Sequence, residues 1–155
     1  MPTIPHSTVP RAVANLYAMC REVFEILGVY VVHSAVDTWA PEEIFLVASQ
    51  ITGDQSWRAI GRRRREDDYD IECALYTKMG DNDLAGRLDR AFYLFGLTEQ
   101  MLSDDPTLRG AVRVAAPTNF VVNTGFQTQQ AKGSACELTF AVHVNAPILN
   151  QGVSP

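Results

Sequence analysis

One hundred and fifty-five residues, 46% of them apolar and 9% aromatic, suit one domain with a full hydrophobic core and are too few for two. Thirteen basic against eighteen acidic residues leave a formal charge of −5, which argues against a general nucleic-acid binder, whose phosphate contacts need a positive face. No apolar run approaches the ~18 residues of a membrane span, and Met1 to Thr8 lacks the pattern of a signal peptide, so a cytoplasmically made chain with no membrane partner is expected.

Residues 1–8, with Pro2 and Pro5, read as an extended N-terminal tail ahead of a core spanning 9–146. Thr8 can cap a helix whose first turn holds Pro10, where a missing N–H costs nothing. Val13, Leu16, Tyr17, Cys20, Val23 or Phe24, and Leu27 form one stripe at helical spacing, ended by Gly28. Val29 to His33 is β-branched and predicts a strand. Ser34 to Glu43, with Asp37, Trp39 and Pro41, reads as a loop. Ile44 to Ser49 predicts a buried strand, and Gly53 with Asp54 a turn.

Strand-like sequence resumes from Ser56 to Arg65. Tyr69, Ile71, Cys73, Leu75 and Thr77 then alternate with Asp70, Glu72 and Tyr76, the pattern of a half-exposed antiparallel strand. Gly80 and Asp81 break it, and Asp81 can cap a second helix carrying Leu84, Leu88, Ala91 with Phe92, Phe95 and Leu102, which stops before Pro106. Ala111 to Asn123 predicts a strand that Pro117 must bulge or confine to an edge. Asn123 to Gly125 signals a turn and Gln127 to Ser134 a polar stretch. The final strand puts Cys136, Leu138, Phe140, Val142 and Val144 inward against Glu137, Thr139, Ala141, His143 and Asn145 outward. Residues 147–155 read as a loose C-terminal tail. The expected fold is α+β: one domain, a mainly antiparallel β-sheet with two helices packed on one face.

The sequence offers no constellation for catalysis. His6 lies in the tail, His33 at a strand end and His143 on a strand's outer face, none with a nucleophile-elbow pattern beside it. Phosphate-cradling glycine motifs are absent from the sequence. Asp81-Asn82-Asp83 opens like a calcium loop, yet Ala85 and Phe92 stand where ligands are needed, and helix capping explains the carboxylates better. Cys20, Cys73 and Cys136 lack partners at metal-ligand spacing and read as buried thiols. No enzyme activity, cofactor or metal is expected.

The loudest local signal is Arg62 to Arg65, preceded by Arg58 and followed by Glu66, Asp67, Asp68 and Asp70. A nucleic-acid patch is one reading, but the acids nearly cancel the local charge, and strand alternation would split the arginines between two faces. Arginines paired with acids of another subunit fit better, because the planar guanidinium suits interface pairing. Candidate interface residues are therefore Arg58, Arg62, Arg63, Arg64, Arg65, Asp67 and Asp68, with Gln127 and Gln129 of the polar stretch. Trp39 joins them as an aromatic anchor in a loop, whereas Trp57 is expected to pack against the helices.

Trp57-Arg58-Ala59-Ile60-Gly61, then Arg63, Arg65, Tyr69-Asp70-Ile71 and Cys73, resembles a strand segment of the small tail-terminator proteins of long-tailed actinobacterial phages. Asp89-Arg90-Ala91 and Asp105 to Val112 resemble that family's second helix and its exit, and Glu137 to Val142 its last strand. The four consecutive arginines and the length of Asn123 to Ser134 depart from the pattern. The resemblance implies a structural virion protein, made in the host cytoplasm and located at the neck junction of the tail. It would form a homohexameric ring that caps the tail tube, stops its polymerisation and docks the head connector. Its partners would be itself, the major tail tube protein and a neck protein, with DNA only passing through the lumen. The candidate interface residues would then face a sister subunit or the tube. Another neck component, such as a head-completion or stopper protein, is the nearest alternative, and a small nucleic-acid-binding domain using Arg58 to Arg65 the more distant one.

Overall fold

The computed structural model describes residues 4–33, 41–57, 65–78, 83–124 and 135–151. In chain order these form β1 (Ile4–His6), α1 (Val9–Phe24) with a 3-10 turn over Glu25–Leu27, β2 (Tyr30–His33), β3 (Glu43–Trp57), β4 (Arg65–Lys78), α2 (Leu84–Asp104), β5 (Val114–Asn123), β6 (Ala135–Pro147) and β7 (Leu149–Gln151). One five-stranded sheet runs β2-β3-β4-β6-β5, and β1 pairs with β7 in a two-stranded one. The architecture is α+β, as expected. The sheet is antiparallel except at one boundary, where β2 runs parallel to β3.

Both helices bury their apolar stripes against one face of the sheet. Ala12, Val13, Leu16, Cys20 and Phe24 of α1 and Ala91, Leu94, Phe95 and Leu102 of α2 meet Phe45, Ile71, Leu75, Leu138, Phe140 and Val142 in a single core. Phe45 sits at its centre, its ring 4.9 Å from Phe24 and 6.0 Å, edge-on, from Phe140. Leu27, expected in the stripe, is instead on the surface, because the helix has tightened into the 3-10 turn before reaching it. Gly28 then ends the segment with φ +79, the left-handed conformation that favours glycine.

Several local expectations are corrected. Thr8 occupies the N-cap position but makes no side-chain cap; its hydroxyl is 3.0 Å from the Tyr69 hydroxyl, and the Val9 N–H donates to Ser7 Oγ instead. Asp83, not Asp81, caps α2, accepting from the Gly86 N–H at 2.9 Å; Asp81 lies outside the described residues. Gly53 and Asp54 make no turn: β3 runs unbroken from Glu43 through the strand expected over 44–49 to Trp57, while of the strand expected over Ser56 to Arg65, residues 58–64 lie outside the described residues and Arg65 opens β4. Gly53 lies opposite Tyr69, and a Cβ there would come within 2.6 Å of the Tyr69 Cβ, so the residue answers a close strand approach. The irregularity of β3 falls earlier, between Leu46 and Gln50, where Ala48 adopts φ 61.

Pro117 lies in an edge strand, and a bulge follows it between Thr118 and Phe120, with Asn119 at φ 40. The chain end is not loose throughout: Leu149, Asn150 and Gln151 pair with His6, Pro5 and Ile4. The expected loop at 34–40, the break at Gly80 and the polar stretch at 127–134 lie outside the described residues.

The exit of α2 is tied down by Asp105. Its Oδ1 accepts from the Thr107 hydroxyl and N–H and its Oδ2 from the Arg109 N–H, holding Leu108, Arg109 and Gly110 in consecutive positive-φ conformations. Asn15 Nδ2 donates to the Leu108 carbonyl at 2.9 Å, so this turn also locks α1 to α2. The Thr107 hydroxyl, more than the backbone donors, holds the Asp105 carboxyl below its usual range. A carboxyl lowered on folding contributes stability above its unfolded value near 3.9, and that contribution fades as pH falls through the lower folded value. Asp105→Asn should therefore show a smaller loss of thermal midpoint than the parent when pH is lowered through about 4. Equal losses would remove Asp105 from the acid-sensitive groups.

Candidate interaction surface

The face of the sheet away from the helices divides into two zones. At one end Val32, Ile44, Leu46 and Ala74 form a second apolar cluster bordered by Tyr30 and Tyr76. Burial, with Glu137 beside it, pushes the Tyr76 hydroxyl up to about 12. The other end is acidic, because period two places Glu66, Asp68, Asp70 and Glu72 of β4 on the same side, with Asp54 of β3 paired to Asp68.

Much of that acidity is answered within the chain. Arg113 Nη1 donates to Glu66 at 2.8 Å and to the Asn145 amide oxygen at 2.9 Å; Asn145 in turn donates to Asp68 at 2.7 Å. His143 Nδ1 lies 2.8 Å from Asp70 Oδ1, a cross-strand pair at the exposed surface. The histidine read as a solvated strand residue is exposed, as expected, and the register adds a carboxylate partner that sequence reading did not supply.

The expected interface residues scatter. Trp39, Arg58, Arg62, Arg63, Arg64, Gln127 and Gln129 lie outside the described residues, as does the side-chain packing of Trp57. Arg65 opens β4 opposite Trp57. Asp68 lies on the acidic face, half-buried. Asp67 is turned to the helix side and only 3% exposed, where it accepts from Ser7 Oγ at 2.7 Å; it holds the start of α1 and is not available to a neighbour.

A different surface stands out. Phe120, 54% exposed, lies on the helix side of β5, with its ring edge-on to Phe92 of α2 at 5.3 Å and 6.0 Å from Phe95. Val121, on the opposite face, is 66% exposed, and Tyr93 and Val114 are also open. Across the molecule, Ile26 in the turn before β2 is 86% exposed, with Leu27 beside it. Exposed aromatics and aliphatics along a strand edge make this a candidate contact surface. The sequence signal for it lies in Phe120-Val121-Val122 beyond the proline of an edge strand and in the doubled aromatics Phe92-Tyr93.

A cleft of ≈ 340 Å³ lies at the start of α2, lined by Glu42, Glu43, Lys78, Asp83, Arg87 and Arg90 among others. Arg90 grips Glu43 bidentately, Nε at 2.6 Å and Nη2 at 3.0 Å, which pairs one cation and one anion of the lining. The three thiols are free and buried; burial pushes Cys20 well up, Cys73 up to about 12 and Cys136 up, which leaves them protonated at neutral pH. Among the described residues, no group of three or more His, Cys, Asp or Glu side chains is placed to hold a metal ion, and no helix is long and apolar enough to cross a membrane. The sequence matches no protein-family model and no curated protein.

Proposed function

We propose that the chain is a non-enzymatic ring subunit of the tail-terminator type, which caps a phage tail tube, stops its growth and presents a docking surface to the head connector. The observation that carries the reading is the pair of unlike apolar surfaces on opposite sides of the molecule: the Phe92–Phe120 pair at the β5 edge, with Tyr93 also open, and the Ile26–Leu27 turn before β2. A closed ring is built from a heterologous contact, which demands two different patches per subunit, whereas a two-fold dimer needs one. The resemblance of the β4, α2-exit and β6 segments supplies the particular ring. The virion neck is then the site of action, with the tube protein and a neck protein as partners and DNA passing through the lumen. An excess of acid, −5 per chain, suits a channel to which DNA must not adhere.

Light scattering after gel filtration, with negative-stain images of the peak, tests this. The expected result is a mass six times the 17.1 kDa of one chain, in annular particles, or ring formation on addition of purified tail tubes. A chain that stays monomeric at high concentration and ignores the tubes overturns it. Binding to the portal side in place of the tube identifies a different neck component, and salt-dependent DNA binding by the monomer favours the arginine run as the working surface.

A further inference from the structure

The two outer strands of the sheet, β2 and the end of β5, stand at the same level and run in opposite directions. Following the pairings across, Tyr30 aligns with Ile44, Tyr76, Glu137 and Asn123; Val31 with Phe45, Leu75, Leu138 and Val122; Val32 with Leu46, Ala74, Thr139 and Val121. His33 and Phe120 are the next residues along each edge strand, paired to Val47 and Phe140 on the helix side, where the irregularity of β3 interrupts the row. Three residues of β2 thus stand level with three residues of β5 beyond its bulge. The strand directions, one parallel pairing followed by three antiparallel ones, leave β2 and β5 antiparallel to each other. Among the described residues each has one strand neighbour.

We infer that successive copies of this chain join by strand addition, the Phe120–Asn123 segment of one copy pairing antiparallel with Tyr30–His33 of the next. This rests on the ring reading and names the contact that makes the ring. Strand addition supplies a ladder of main-chain hydrogen bonds, and the side chains at each edge set the specificity. With the helices of both copies on the same side, α2 of one copy comes to lie beside α1 of the next, because α1 covers the β2 end of the sheet and α2 the β5 end. Phe120 and Phe92 then meet His33 and Tyr17, whose rings already contact each other at 5.2 Å.

Charge agrees with this seating. Asp89 and Glu99 stand three residues before and seven after Phe92, on the same flank of α2, and both are exposed. Arg21 of α1 lies over the Tyr17 ring at 5.7 Å; its Nε is bonded to Glu25, which leaves the guanidinium with further donors for an incoming carboxylate. The second copy is therefore the occupant that fits both in backbone direction and in charge.

Paired cysteine substitutions test the register, since the native thiols are buried. His33→Cys and Phe120→Cys in the same chain, under mild oxidation with copper phenanthroline, should give a ladder of disulfide-linked multimers on non-reducing gels. Neither single variant should give more than a trace of linked product. As a second measurement, Phe120→Asp should keep its far-UV circular dichroism and fall from the multimer to the 17.1 kDa of a single chain. A ring-sized mass without the ladder and without sensitivity to Phe120→Asp overturns the strand contact and leaves the ring intact. Linked dimers from Phe120→Cys alone overturn it in favour of a two-fold contact, and a parent chain that is monomeric with and without tail tubes removes both the contact and the ring.

Discussion

Phe45→Ala is expected to destabilise the fold by about 4 kcal/mol, within the range for emptying a fully buried aromatic site. Phe45 is among the largest fully buried side chains, 1% exposed, at the point where α1, β3 and β6 meet. Its ring contacts Phe24 of α1 and Phe140 of β6, so the substitution removes two aromatic pairings together with the buried area. The backbone around it is held on both sides, by Val31 of β2 and Leu75 of β4, which limits how far the cavity can collapse. The check is a urea titration: the midpoint should fall with the slope unchanged. A loss below about 1.5 kcal/mol would mean that the seam repacks like a volume-conserving swap.

Gly53→Val should rank next, at about 3 kcal/mol, the upper end of what overpacking costs. Its obstacles are the Tyr69 Cβ at 2.6 Å and the Asp68 carbonyl at 3.0 Å, neither of which is the far end of a flexible side chain. To make room, β3 and β4 must separate where Tyr69 is also held by the Thr8 hydroxyl, so the start of α1 should loosen with them. Hydrogen exchange of the Val9 and Ala12 amides should accelerate together with that of Tyr69. Acceleration confined to β3 would show that the strand pair gives way by itself.

The elements that sequence reading placed well are those whose pattern is local. The alternation from Cys136 to Val144 decides its own buried face, and the helical stripe from Val13 to Phe24 does the same. What escaped depends on a partner distant in the chain. Gly53-Asp54 has the composition of a turn, and only the approach of Tyr69 shows why glycine is required within a strand. The parallel pairing of β2 with β3 is a matter of strand direction, on which strand composition is silent. Asp67 and Asp68 look alike in a run of acids, but one step of register places the first under the helices and the second in the open. The exposed aromatic pair was hidden for the same reason: Phe92 and Phe120 are 28 positions apart, and each alone reads as another core aromatic.

The pairing of β1 with β7 has a practical consequence. Ile4 and Gln151 are partners, so the first and last described residues lie side by side. Glu66 lies opposite Pro147 near these ends, while Phe120, at the near end of the proposed strand contact, is level through Phe140 with Cys73, seven strand positions or roughly 23 Å further along β4. Under that contact, a dye at Ile4 or Gln151 would therefore stand clear of the seam. Two dyes, one at each of these positions in a single chain, would report each other's proximity, and in a closed ring they would mark one rim.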